Sequence, residues 1–310
     1  MMDFVLFIIS LTSLHSALGQ FDPYFIGDRQ GIVHLFEWKW LDIAQECEDW
    51  LGPKGFGGVQ ISPPNENAII ANRPWYERYQ PMSYILETRS GTKDDLAQMV
   101  ERCRNAGVRI YADVVVNHMG APGPTSPLIG TAGSEADPLS RDFPAVPYDG
   151  SEFHPSCAIQ NYNDAIQVRH CELSALPDLN QTIPDVRQAI VGFMNDLIDL
   201  GVAGFRMDAC KHMMPSDLRV IYESVNPLTK ANGFAPGSRP FIFQEVIDVG
   251  GEAVTRQEYI SLGTVTEFTY STQIGMVFRK IDRNLTALQQ WGTPSGFLPS
   301  RYSFVFVDNQ

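Results

Sequence analysis

Three shortages bound what this 310-residue chain can be. Basic residues are few: 23 Lys and Arg stand against 36 Asp and Glu, a formal net charge of −13. No basic stripe is visible, which argues against a nucleic-acid partner. The acidic balance itself names no substrate and reads as a solvated surface. Long apolar runs are absent. The most apolar stretch, Phe4-Val-Leu-Phe-Ile-Ile-Ser-Leu, is too short to span a bilayer, so no membrane-embedded domain is expected. Cysteine is sparse and odd in number, with Cys47, Cys103, Cys157, Cys171 and Cys210, so at least one is unpaired.

What is present begins with that apolar stretch. With Ala17-Leu-Gly19 after it as a small-x-small site, it reads as a secretory leader over 1–19, although Asp3 stands where a positive start is usual. Cleavage is expected after Gly19, giving a secreted, extracellular chain in which disulfides can form. Asn180-Gln-Thr and Asn284-Leu-Thr are acceptor sequons for glycosylation.

The body alternates apolar strands with helical periodicity. Strands are expected over 31–36, 57–62, 108–116, 202–208, 240–246, 265–269 and 303–308. Helical faces are formed by Trp40, Ile43, Ala44, Cys47 and Leu51, by Leu96, Met99, Val100 and Cys103, and by Val186, Ile190, Phe193 and Leu197. Repeated βα units imply a parallel sheet, and seven strands make an incomplete (β/α)8 TIM barrel. From Gly120 to about Asp178 the pattern dissolves into Pro, Gly and Ser, an excursion with irregular β structure. Barrel residues are therefore expected at 20–117 and 179–310, with the excursion, a domain B, at 118–178. Cys47 and Cys103 fall on consecutive, neighbouring helices, so a bridge between them is plausible. Cys157 and Cys171 lie close together in the excursion. Cys210 then remains, a buried and inert thiol.

Charged residues at the ends of apolar strands are the chemical signal. Gly204-Phe-Arg-Met-Asp208 ends in Arg206 and Asp208, and Phe241-Ile-Phe-Gln-Glu245 ends in Glu245. Such charges lose solvation unless they are paired or used. Two carboxylates on one barrel rim suit glycoside hydrolysis, with one attacking and the other protonating the leaving oxygen. Arg206 and Asp208 leave the same strand face, so the guanidinium is expected to keep Asp208 ionised. Glu245 needs a raised pKa, and Phe243 and Val246 suggest an apolar setting for it. Buried ion pairs that serve stability alone are the bland alternative. Arg73-Pro-Trp75-Tyr76-Glu-Arg-Tyr79-Gln80 is an aromatic loop that could stack on sugar rings or simply pack. Asn117, Arg169, Asp178 and His212 are scattered polar residues. Without a contiguous Asp/Asn loop, composition alone makes a weak case for calcium.

Taken in order, His34-Leu-Phe-Glu-Trp38, Gly55-Phe-Gly-Gly-Val-Gln60, Pro63-Pro-Asn-Glu-Asn67, Val116-Asn-His118, Gly201-Val-Ala-Gly-Phe-Arg206, Lys211-His212-Met213 and Phe241-Ile-Phe-Gln-Glu-Val-Ile-Asp248 resemble the animal α-amylases. The likeness runs from about Gly31 to Asn309. It implies a Ca2+-dependent, chloride-activated endo-hydrolase of α-1,4-glucans that retains anomeric configuration, acting on starch, glycogen and malto-oligosaccharides as a monomer. By resemblance Asp208 is the nucleophile and Glu245 the acid/base. Asn117, Arg169, Asp178 and His212 would ligate calcium, Arg169 and His212 through backbone carbonyls, and Arg206 and Asn309 would ligate chloride. Trp75, Tyr76, Tyr79, Gln80, His118, Tyr162, Lys211, His212 and Glu252 match substrate-contact positions, with Tyr76 in place of a usual Trp.

The chain departs from the family pattern at Val307-Asp308-Asn309-Gln310, where the family continues to a third catalytic aspartate that Asp308 does not match. The polypeptide as written is therefore expected to be inactive or weak and poorly stable, since an open barrel exposes two sheet edges. The ending reads as that of an incomplete or mis-predicted gene product. A non-catalytic starch- or oligosaccharide-binding relic and a related glucanotransferase are the competing readings.

Overall fold

A computed structural model describes residues 19–123, 127–281, 284–292, 295–307 and 309. The leader expected over 1–19 lies, apart from Gly19, outside the described residues, as does Asp308. Seven parallel strands form one open sheet: β1 (Gln30–Leu35), β2 (Phe56–Ile61), β3 (Arg109–Val114), β8 (Gly204–Met207), β9 (Phe241–Gln244), β10 (Thr264–Thr266) and β11 (Ser303–Phe304), in that spatial order. Between β3 and β8 lie two short antiparallel hairpins, β4 (Leu128–Ile129) with β5 (Glu135–Ala136) and β6 (Asp142–Phe143) with β7 (Tyr148–Asp149). Irregular β structure in this stretch is what the sequence led us to expect.

The helices follow from local chemistry. In α1 (Trp40–Glu46) the apolar stripe Trp40, Ile43 and Ala44 is buried; a π-type turn over Cys47–Leu51 and the short α2 (Gly52–Lys54) extend it. The next helix, α3 (Lys93–Asn105), starts at a capping box in which Asp95 N donates to Thr92 Oγ1 at 3.2 Å and Thr92 N donates to Asp95 Oδ2 at 2.9 Å. Within the excursion α4 (Ala165–His170) is capped by Asp164. Pro184 opens α5 (Pro184–Leu200), and Gly201 ends it in the left-handed conformation at φ 104°, where a side chain would be strained. Its buried residues Val186, Ile190, Phe193, Met194, Leu197 and Ile198 follow helical spacing, each contributing roughly 1.5–3 kcal/mol by burial. The last two helices are α6 (Pro215–Ser224) and α7 (Phe268–Arg279).

Strands β3, β8 and β9 are buried at every position, which is why their sequences are near-continuously apolar. β11 is shorter than the 303–308 expected. Among the described residues it pairs only with β10, through Val265 with Ser303 and Thr266 with Phe304. The strand expected over 265–269 closes at Thr266 because Glu267 caps α7, its side chain accepting from Thr269 N. Disulfides join Cys47 to Cys103 and Cys157 to Cys171, with Cα–Cα distances of 5.1 and 4.8 Å. The first ties the α1 segment to α3. Cys210 is free and buried, and burial pushes its thiol pKa up. Among the described residues no helix is long and apolar enough to cross a membrane.

Candidate active site

The parallel register builds the site. Asp113 of β3 lies directly beside Arg206 of β8, and Arg206 beside Phe243 of β9. Asp208 follows Arg206 by two residues, and Glu245 follows Phe243 by two, so the charged side chains emerge together at the strand ends. Arg206 Nη1 donates to Asp113 Oδ1 at 2.7 Å, to Asp113 Oδ2 at 2.8 Å and to Asp208 Oδ1 at 2.8 Å. Its Nη2 donates to Glu245 Oε1 at 2.5 Å. Ala209 N donates to Glu245 Oε2 at 3.0 Å, and Tyr79 Oη to Asp113 Oδ2 at 2.9 Å. Asp113, Arg206 and Asp208 are all buried.

One guanidinium thus serves three carboxylates, which changes two expectations. Burial raises the Asp208 carboxyl well above the usual range; Arg206 pulls it down, while Glu245 and Asp113 push it further up. Burial likewise raises Asp113. Arg206 therefore does not hold Asp208 at an ordinary carboxylate pKa, because burial outweighs it and the two neighbouring carboxylates add to the rise. Glu245 sits not in an apolar setting but on two donors, Arg206 and a backbone amide. Sequence reading missed Asp113. The signal was available: it is a lone carboxylate inside the apolar run of β3, the same pattern that marked Asp208.

Around this cluster lie two cavities, and Glu245 borders both. The larger, about 720 Å3, lies inside the sheet and is also lined by His34, Gln60, Arg206 and Asn309. The smaller, about 300 Å3, is lined by Tyr162, Lys211, His212, Ile247 and Glu252, so four expected substrate contacts meet beside Glu245. There Lys211 Nζ donates to Ile247 O at 2.6 Å, pairs with Glu252 and lies 5.3 Å from the Tyr162 ring centre. Trp75 and Tyr76 are about half exposed and line neither cavity; the Trp75 ring lies 6.1 Å from the ring of Tyr79. Gln80 Oε1 accepts from Ala121 N at 3.2 Å. The His118 ring is engaged on both nitrogens, by Tyr79 O at 3.0 Å and Asn117 Nδ2 at 3.2 Å. Burial lowers its pKa to about 4, so the ring is neutral, with Nε2–H donating to the carbonyl.

The expected calcium ligands divide into two observations. Asn117 and Asp178 are brought together by a β-bridge between His118 and Asp178 and by Leu179 N donating to Asn117 O at 2.9 Å. Asn117 Oδ1 and Asp178 Oδ1 are both buried without a hydrogen-bond partner, and burial raises Asp178 to about 6. Two orphaned oxygens, one anionic, are the donors a hard cation takes. On the other side, His212 Nδ1 donates to Val168 O at 2.8 Å, which holds His212 against the 168–169 backbone. The Arg169 guanidinium turns away to Glu258 at 2.7 Å, leaving only its carbonyl for such a role. No group of three or more His, Cys, Asp or Glu able to hold a metal occurs among the described residues. For chloride the fit is poorer: both terminal nitrogens of Arg206 are already taken by carboxylates.

A parallel β/α sheet that gathers an arginine and three carboxylates at the C-terminal ends of its strands defines a β/α-barrel enzyme site. The α-amylase catalytic-domain family model matches residues 62–235. An α-amylase-related protein of Drosophila orena is 56% identical over 293 residues, covering 94% of this chain and 59% of its own length. An α-amylase of Tribolium castaneum is 55% identical over 295 residues, with the same coverage. The crystal structure of α-amylase I from Eisenia fetida superposes with a TM-score of 0.88 at 43% identity, over 92% of this chain and 59% of that one. A variant of that enzyme, solved with maltohexaose, gives 0.87 at 42% identity, over 92% of this chain and 60% of its own. The chain belongs to the α-amylase family of glycoside hydrolases. It spans about three-fifths of the length of these relatives.

Proposed function

We propose that this chain carries the nucleophile and the acid/base of a secreted, endo-acting hydrolase of α-1,4-glucosidic bonds. The observation that carries the reading is the Arg206 guanidinium clamping Asp208 and Glu245 together. Such a bridge suits the roughly 5–5.5 Å separation of a retaining pair. The cluster holds three carboxylates against one cation, so it favours retaining a proton. Glu245 is the member of the cluster that borders both cavities, the position an acid/base beside a leaving oxygen needs. Asp208 Oδ attacks the anomeric carbon as Glu245 gives its proton to the departing glycosidic oxygen. Glu245 then takes a proton from the water that displaces the glycosyl ester on Asp208, and the configuration at carbon is retained.

In this reading residues 20–117 and 179–310 form the barrel and 118–178 the excursion, and the chain acts as a monomer. The ligand is a malto-oligosaccharide, as in the relative's maltohexaose complex. Asn117 Oδ1, Asp178 Oδ1 and the carbonyls of Arg169 and His212 would hold calcium, whose charge offsets the buried Asp178 carboxylate. Chloride at Arg206 and Asn309 would require Arg206 to give up one of its carboxylates. A 5-fluoro-glucosyl fluoride tests the chemistry: mass spectrometry of the digested chain should find the sugar on the peptide holding Asp208, and none in Asp208→Asn. Maltoheptaose binding without any label would leave a binding protein instead, and transfer of glucosyl units to added maltose would point to a transferase.

A further inference from the structure

The aromatic loop rests on a buried charge network that the catalytic cluster does not use. Trp75–Tyr79 is a single 3-10 turn. It faces two ways: Trp75 and Tyr76 are exposed to solvent, while Tyr79 donates to Asp113, the partner of Arg206. Between them sits Glu77, whose side chain has no exposed surface. Its carboxylate accepts from Ile70 N at 3.1 Å and Arg73 Nε at 2.9 Å, and pairs with Arg89 Nη1 at 3.0 Å. Arg89 Nη1 also donates to Arg73 O at 2.8 Å, and Arg89 Nη2 reaches across to Glu37, which pairs with Arg78 at 3.0 Å. Three residues of this network region are non-glycines in the left-handed conformation: Glu37 at φ 70°, Asn72 at 67° and Arg73 at 50°. Backbone of that kind persists only where its surroundings over-determine it.

We propose that Glu77 is a positioning residue for the malto-oligosaccharide site: it fixes the 75–79 turn so that the Trp75 ring is presented to the sugar while Tyr79 stays on Asp113. The inference rests on the substrate reading above and deepens it. Removing the carboxylate charge leaves Arg73 and Arg89 without their common partner and frees the left-handed segment. Trp75 then becomes mobile while its side chain remains intact.

The test uses the full chain with Glu77→Gln, and Arg89→Gln as a milder second variant should the first fail to fold. Each is combined with Trp75→Ala. Maltoheptaose affinity is expected to fall roughly tenfold in Glu77→Gln and by less than about twofold when Trp75 is already alanine. An equal loss in both backgrounds, or none in either, overturns the proposal. Acrylamide quenching of Trp75, isolated by subtracting the Trp75→Phe counterpart, should rise in Glu77→Gln; unchanged quenching overturns the anchoring role. A wild-type chain that binds no maltoheptaose overturns the substrate reading and with it the site part of the proposal, and the quenching measurement still decides the anchoring.

Discussion

Replacing Arg206 by methionine should destabilise the chain in a way that depends on pH. The substitution keeps an aliphatic stem and removes the only cation, among the described residues, paired with Asp113, Asp208 and Glu245. Each such pair is worth about 4 kcal/mol of Coulomb energy at 4 Å and an effective dielectric of 20, most of it offset by desolvation of the arginine. The net loss expected at pH 8 is about 3–5 kcal/mol, the cost of stranding buried charge. Asp113 and Asp208, already raised by burial, can escape that cost by protonating, so their folded-state pKa values rise further above the unfolded value of about 4. A raised folded pKa means that the penalty is absent below about pH 4 and grows as pH climbs toward the raised value, by about 1.4 kcal/mol per unit. Urea unfolding of wild type and Arg206→Met at pH 5 and pH 8 should therefore show a loss smaller by about 2 kcal/mol at pH 5. Arg206→Lys keeps the charge but not the fork, and its deficit should be similar at both pH values. Equal losses for Arg206→Met at pH 5 and pH 8 would refute the shared-cation reasoning.

Three further outcomes are expected. The His118 ring, held neutral by burial, should titrate near pH 4 by NMR. Its lowered pKa contributes stability that is complete above about 6.5 and fades as pH falls toward 4, on the order of 3 kcal/mol; a midpoint near 6.5 would contradict this. Replacing Cys47 and Cys103 with alanine opens a loop whose ends are 56 residues apart, and denaturant unfolding should register a loss of about 4 kcal/mol. Thermal melts in millimolar CaCl2 should exceed those in EDTA, and Asp178→Asn should abolish the difference; a calcium-insensitive wild type would remove the metal from the proposal.

The strands and helices were legible because burial writes itself into periodicity. β3, β8 and β9 are covered on both faces, and α5 shows its stripe from Val186 to Ile198. The chain's likeness to a known family then supplied roles for individual residues. What escaped was stoichiometry. Arg206 beside Asp208 in sequence suggests a one-to-one pair, whereas register brings in Asp113 from 93 residues away. Nor could sequence show that Glu77 and Arg78, flanked by aromatics, are the buried members of their turn. A 3-10 turn reverses the outward and inward sense that the composition suggests. The end of β10 was misjudged because the strand gives way to a helix cap at Glu267, an effect of one side chain on one amide.

The alignment of Asp113 with Arg206 across two parallel strands also bears on folding. Side chains alternate faces along a strand, so a slip of one residue between β3 and β8 would turn Arg206 and Asp208 out of the sheet interior together and leave Asp113 without its cation. Misregistered sheets are thereby penalised by the same charges that perform the chemistry. The active site acts as a proofreader of its own scaffold: only a sheet assembled in the correct register can neutralise it.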